Sequence, residues 1–114
     1  MGFFDKIKKN VEIRHASVDP KTNQMAQEKI SILEKKIEEA PDNFDLHYQM
    51  YCCYVDLSKS WKKIECLEKM HQLRPNDAFP LSQLAHIYYS EVENPEKGKF
   101  YQNKANKVNS NKFL

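Results

Sequence analysis

Two triplets, Pro41-Asp42-Asn43 and Pro75-Asn76-Asp77, constrain this chain more than any other feature, because the second begins 34 residues after the first. Proline disfavours helical backbone in the residue before it, and Asn and Asp cap the helix that follows. Each triplet therefore reads as a helix stop followed by a helix start. Between them lie two segments with helical spacing and no internal Gly or Pro. Turn punctuation recurring at a fixed period predicts a repeat architecture of helical hairpins.

Composition agrees with that expectation. The chain has 114 residues, enough for one modest core. Hydrophobic residues make up 40% and charged residues 30%, which excludes a disordered polyelectrolyte. Two glycines and five prolines are too few for the turns of an all-β domain, so the expected class is all-α. The formal net charge of +2 selects no charged partner. Residues 23–58 carry three basic and seven acidic side chains, whereas 1–22, 59–77 and 78–114 each carry five basic and three acidic. Solvated helix faces produce such a weak alternation.

The three cysteines, Cys52, Cys53 and Cys66, are odd in number and include an adjacent pair, so they form no disulfide framework. The N-terminus shows no signal-peptide pattern, and no apolar run is long enough for a transmembrane helix. A reducing, cytoplasmic location is expected. Lys6 stands where an N-myristoylation motif requires Ser or Thr, so Met1-Gly2 is not read as a lipidation signal.

Three regions are expected in order: an N-terminal amphipathic helix and loop over 1–21, a helical repeat domain over 22–109, and a frayed tail over 110–114. In the first, Phe3, Phe4, Ile7 and Val11 share a helical face with Lys6, Lys8 and Lys9 off it. That segment reads first as a cap on the repeat, and second as a membrane-surface or partner-docking helix. Asp19-Pro20 reads as a turn. Thr22 to Ala40 reads as a helix capped by Thr22 or Asn23, with Met25, Ala26, Ile30, Leu33 and Ile37 inward. From Asn43 to Leu57, Leu46, Met50, Tyr51 and Tyr54 form the stripe. Trp61 to Arg74 follows with Trp61, Ile64, Leu67, Met70 and Leu73 inward. From Asp77 to Val92 the stripe is Leu81, Leu84, Ala85 and Tyr88, with Ile87 on an adjacent edge. Asn94 caps the last helix, which runs to about Val108 and turns Gly98, Tyr101, Ala105 and Val108 inward.

These positions resemble the tetratricopeptide repeat, whose units pair two antiparallel helices over 34 residues. Counted from Phe44, Met50 matches the family's leucine, Tyr54 its tyrosine and Pro75 its proline. Counted from Ala78, Leu84, Ala85 and Tyr88 match all three first-helix positions. Gly98 and Ala105 have the seven-residue spacing of the two small second-helix residues. Tyr51 departs from the usual small residue, Ile64 replaces another, and Asn109 stands where a closing proline is expected. The resemblance covers about 41–109, with weaker support from residue 22. It implies a short right-handed α-solenoid of antiparallel hairpins, about two and a half units long.

It also implies a concave face made by the first helix of each unit. The positions carried over are Asp45, Tyr48, Gln49, Cys52, Val55 and Asp56, then Phe79, Ser82, Gln83, His86, Tyr89 and Ser90. None is Lys or Arg, so the clamp that holds a C-terminal carboxylate in chaperone-binding members is missing. Tyr48, Phe79 and Tyr89 suit protein recognition as aromatic anchors; packing at the seam between repeats is the plainer role for Tyr48 and Tyr89. The expected function is non-catalytic protein–protein interaction with a protein or peptide, as an adaptor, a client-specific chaperone or a neutralising, immunity-type binder. A membrane-peripheral adaptor docking through Phe3, Phe4 and Ile7 is the second reading, and self-association remains open.

Other chemistries find less support. Cys52 and His86 could face each other as nucleophile and base, but no oxyanion donor or orienting carboxylate accompanies them, so a Cys-dependent enzyme is a remote alternative. Cys52 and Cys53 diverge on a helix and no Cys-x-x-Cys occurs, so no metal is expected. Cys53 and Cys66 read as buried structural thiols. No phosphate-cradling glycine loop exists, and no cofactor is expected. Lys59, Lys62 and Lys63 around Trp61 read as a solvated face with Trp61 in the core, so nucleic acid is not an expected partner.

Overall fold

The computed structural model describes residues 19–111 and contains five helices: α1 Pro20–Glu39, α2 Phe44–Asp56, α3 Ser60–Leu73, α4 Ala78–Ser90 and α5 Pro95–Asn111. Among the described residues there is no strand. The helices pack on their chain neighbours: α1 on α2, α2 on α3, α3 on α4 and α4 on α5. Connections this short force each helix to run back along the one before it. The amphipathic segment expected over residues 3–11 lies outside the described residues.

Local chemistry accounts for each boundary. Asp19 caps α1 by accepting a hydrogen bond from the Thr22 backbone N–H at 3.4 Å. This corrects the expected cap at Thr22 or Asn23 and the expected turn at Asp19-Pro20. Pro20 opens the helix instead, since its missing N–H is one the first turn would leave unpaired anyway. Asn43 caps α2 through the N–H groups of Asp45 and Leu46, and Asp77 caps α4 through that of Phe79. Asn94 does the same for α5 through Lys97 at 3.2 Å. The α2 helix closes on Ser58 at φ 55°, with Ser58 N–H donating to the Val55 carbonyl and Lys59 N–H to that of Tyr54. Those two bonds form the left-handed closing motif that usually employs glycine. The last helix continues to Asn111, so 110 and 111 of the expected frayed tail are helical.

One apolar core runs through all five helices. It contains Ile30 and Leu33, then Met50, Tyr51 and Cys53, then Ile64, Cys66, Leu67 and Met70, then Leu84, Ile87 and Tyr88, with Tyr101 packed against it. Gly98 and Ala105 are the buried residues of α5. Three expected stripe positions are corrected. Met25 is 61% exposed, because it sits about 100° around the helix from buried Ala26. Trp61 is 39% exposed, and Ser60 and Lys63 are buried in its stead. Ile87, expected at an edge, is fully enclosed.

Lys63 departs furthest from expectation. It is not on a solvated face. Its ammonium donates to both Glu91 carboxylate oxygens, at 2.8 and 3.0 Å, and the Ser60 hydroxyl donates to the same carboxylate at 2.7 Å. The network joins the first turn of α3 to the C-terminal cap of α4.

The α4–α5 hairpin depends on a close approach at Gly98. A Cβ there would lie 2.8 Å from Cγ and Cδ2 and 2.9 Å from Cδ1 of Tyr89. The contact falls at the root of the ring, so relief requires a new side-chain rotamer. Alanine normally stabilises a helix interior over glycine by about 1 kcal/mol. Here Gly98→Ala should instead lower stability by about 1 kcal/mol net, since overpacking costs more than the propensity gain. In a Tyr89→Ala background the same substitution should raise the melting temperature. Thermal melts of the four variants check this; a stabilising Gly98→Ala in the native background would refute the contact.

His71, near the end of α3, makes stability depend on pH. Its Nδ1 is buried with no hydrogen-bond partner. Burial holds its pKa below the usual histidine value, and the charge of Lys104 adds to the effect. The unfolded chain takes up the proton near pH 6.5 while the native state resists it. The contribution is therefore complete above about pH 6.5 and is lost as pH falls toward the folded pKa. Melting temperature should decline between pH 7.5 and 5.5, and His71→Gln should flatten that decline. An unchanged slope in the variant would assign the effect elsewhere.

Candidate functional site

Contacts between α2 and α4 place two helices of the same direction side by side. Tyr48 meets Phe79 edge-on at 5.9 Å between ring centres, and Tyr51 meets Phe79 at 6.3 Å and 86°. One turn further along both helices, the Tyr51 hydroxyl donates to Gln83 Oε1 at 3.3 Å. Partners advance together along the two helices, so α2 and α4 are parallel and their C-termini lie at one end.

The result is an aromatic ledge. Tyr51 is buried and forms its floor, while Tyr48 and Phe79, 39% and 38% exposed, form its lip. Tyr48 and Tyr51 are 6.3 Å apart on α2 itself. Burial pushes the Tyr51 phenol up to about 12. The Cys52 thiol, one turn on, raises that of Tyr48. Both hydroxyls stay protonated at neutral pH, and that of Tyr51 donates to Gln83.

The remaining expected positions distribute unevenly. Asp45, Val55 and Asp56 are exposed on α2, while Gln49 and Cys52 are half-buried. Gln49 donates to the Asp45 carboxylate at 3.3 Å. On α4, Ser82 and Gln83 are half-buried, and His86, Tyr89 and Ser90 are exposed. The structure joins Tyr48, Phe79 and Gln83 through Tyr51. It does not join Tyr89 to them, because that ring lies over Gly98 of α5. Ser90 turns its hydroxyl back to the His86 carbonyl at 2.7 Å.

Tyr51 is buried as its place on the expected stripe implies, but its role beneath the Tyr48–Phe79 pair was not among the expected site positions. The signal was visible as a bulky side chain where the resembled family carries a small one. That excess volume fills the seam between α2 and α4.

The thiols are free. Cys53 and Cys66 are buried, and burial raises both, Cys66 to about 12. A thiol held so high is not a nucleophile at neutral pH. Cys52 and His86 share no hydrogen bond among those the described residues make. No group of His, Cys, Asp or Glu among the described residues is arranged to hold a metal ion. No helix among the described residues is long and apolar enough to cross a membrane. Phe3, Phe4 and Ile7 lie outside the described residues. No family model matches the chain, and no curated protein is similar to it in sequence.

Proposed function

We propose that this protein is a non-catalytic protein-interaction module, built as a short right-handed α-solenoid similar to tetratricopeptide repeats, whose α2/α4 face receives a protein or peptide partner. The observation that carries this reading is the exposed Tyr48–Phe79 pair seated on buried Tyr51. Monomeric surfaces bury such rings when they can, and half-exposed aromatics on rigid helices are the usual anchors of interfaces. The pairings across α2 and α4 are offset by 28, 31 and 32 residues, somewhat below the 34-residue spacing of the two proline triplets. Consecutive packing of α1 to α5 suits a stacked array, in which each hairpin is covered by its neighbours. Helices held by a shared core lose little freedom on binding, so most of the contact energy is retained as affinity. Free buried thiols fit a reducing compartment such as the cytoplasm. An adaptor, a dedicated chaperone and a neutralising binder would all use such a face in the same way.

The test compares two baits. Wild-type protein and a Tyr48→Ser/Phe79→Ser double variant are used for affinity capture, with quantitative mass spectrometry of the retained proteins and a thermal melt to verify folding. A specific protein retained by the first bait and lost from the folded second bait supports the reading. Identical retained sets on both baits would remove the α2/α4 face from consideration.

A further inference from the structure

The two helices that bear the aromatic ledge carry charged side chains of one sign only. Helix α2 carries Asp45 and Asp56 with no Lys or Arg, and α4 carries no Lys, Arg, Asp or Glu at all. Both aspartates are exposed, and among the described residues neither has a cation within salt-bridge distance. They stand 11 residues apart, three helical turns or about 16 Å, and bracket Tyr48 and Cys52 on the same side of α2. The parallel C-termini of α2 and α4 add partial negative charge at the Asp56 end. Exposed Glu93 follows α4 at that end. Cations from the helices behind act mainly elsewhere: Lys29 of α1 bears on Cys53 and Lys62 of α3 on Tyr54, both turned away from Tyr48, while Arg74 stacks on the Phe44 ring at 3.8 Å and exposed Lys59 follows Asp56 by three residues. Lys63 is consumed by Glu91, and Lys69 lies 3.6 Å from Asp42 at the start of the α1–α2 turn.

Resting on the interaction reading above, we infer that the occupant of this face is a basic peptide segment of a partner protein. It seats an aromatic or aliphatic side chain on Tyr48 and Phe79 and places Lys or Arg near Asp45 and Asp56. The ledge supplies contact area, and the two carboxylates set direction and register, since rim charges govern encounter and orientation more than raw affinity. An acidic segment would meet two exposed carboxylates and no cation on either helix of the face, Arg74 of the α3–α4 turn being stacked on Phe44.

The experiment selects random dodecapeptides displayed on phage against the full chain, the Asp45→Asn/Asp56→Asn variant and the Tyr48→Ser/Phe79→Ser variant. Clones enriched on the native chain should combine Lys or Arg with an aromatic or aliphatic residue. The aspartate variant should lose the Lys/Arg preference while keeping the apolar one, and the ledge variant should enrich neither. The best clone, made as a labelled peptide, should bind the aspartate variant roughly fivefold to tenfold more weakly and weaken on the native chain as salt is raised. Enrichment of acidic or uncharged clones that still require Tyr48 and Phe79 would overturn the basic-partner inference while leaving the interaction reading intact. Absence of any enrichment over the starting library overturns the inference as well. A photo-crosslinker at position 48 of the otherwise native chain adds an independent arm. Crosslinks into residues 1–18 or into a second copy would assign the face to those occupants and overturn the inference too.

Discussion

Glu91→Ala should lower the melting temperature by roughly 10–20 °C, a large effect for a residue at the edge of a turn. The Lys63 and Glu91 side chains retain only 10% and 13% of their exposure. Removing the carboxylate leaves a nearly buried ammonium and the buried Ser60 hydroxyl without their acceptor. Stranding a buried charge in this way costs about 2–4 kcal/mol, which in a domain of this size corresponds to the stated shift. The pair itself is a different matter. Its mutual attraction is largely offset by the loss of hydration, so a Ser60→Ala/Lys63→Met/Glu91→Leu variant, which also removes the Ser60 hydroxyl, should melt within a few degrees of wild type. Calorimetry of the single and triple variants makes the comparison. A shift of less than about 3 °C for Glu91→Ala would show that solvent screens this pair as it does ordinary surface pairs.

Leu67→Ala is the second large effect, at about 3–4 kcal/mol. Leu67 is 0% exposed and lies in the core that α3 shares with its neighbours on both sides. Truncation loses the transfer energy of the removed methyl groups and leaves a cavity that five packed helices can only partly close. Domains of this length have roughly 5–14 kcal/mol of total stability, so this one change removes a substantial part of it. Ile32→Ala provides the contrast. Ile32 is 56% exposed on the outer side of α1, and its truncation should change stability by less than about 0.5 kcal/mol. Urea titrations of both variants make the comparison. Comparable losses at the two positions would mean that α3 is not the packed centre of the chain.

Much of this architecture is legible in the chain itself. Pro41 and Pro75 stop α1 and α3, Asn43 and Asp77 start α2 and α4, and Asn94-Pro95 starts α5. These are local effects, settled within a few residues by φ restriction and by side-chain oxygens reaching backbone N–H groups. The main core positions follow from the 3.6-residue period for the same reason: Ile30, Leu33, Met50, Ile64, Leu67, Met70, Leu84 and Tyr88 are inward as expected.

Where the period admits two answers, only the tertiary structure chose. Met25 and Ala26 are adjacent candidates for one inward direction, and the position of α2 selects Ala26. Trp61 and Lys63 compete in the first turns of α3, and Lys63 is taken inside because Glu91, 28 residues away, meets it there. Tyr51 reads from the sequence as an oversized substitute for a small residue; only the approach of α4 makes it the floor beneath Tyr48 and Phe79 and gives its hydroxyl a partner in Gln83. The sequence alone determined where helices begin, end and turn apolar, because those preferences act over one or two turns. The tertiary structure decided which polar side chains are paired inside and which rings stand at the surface, because those outcomes depend on groups about thirty residues apart that meet only when the hairpins stack.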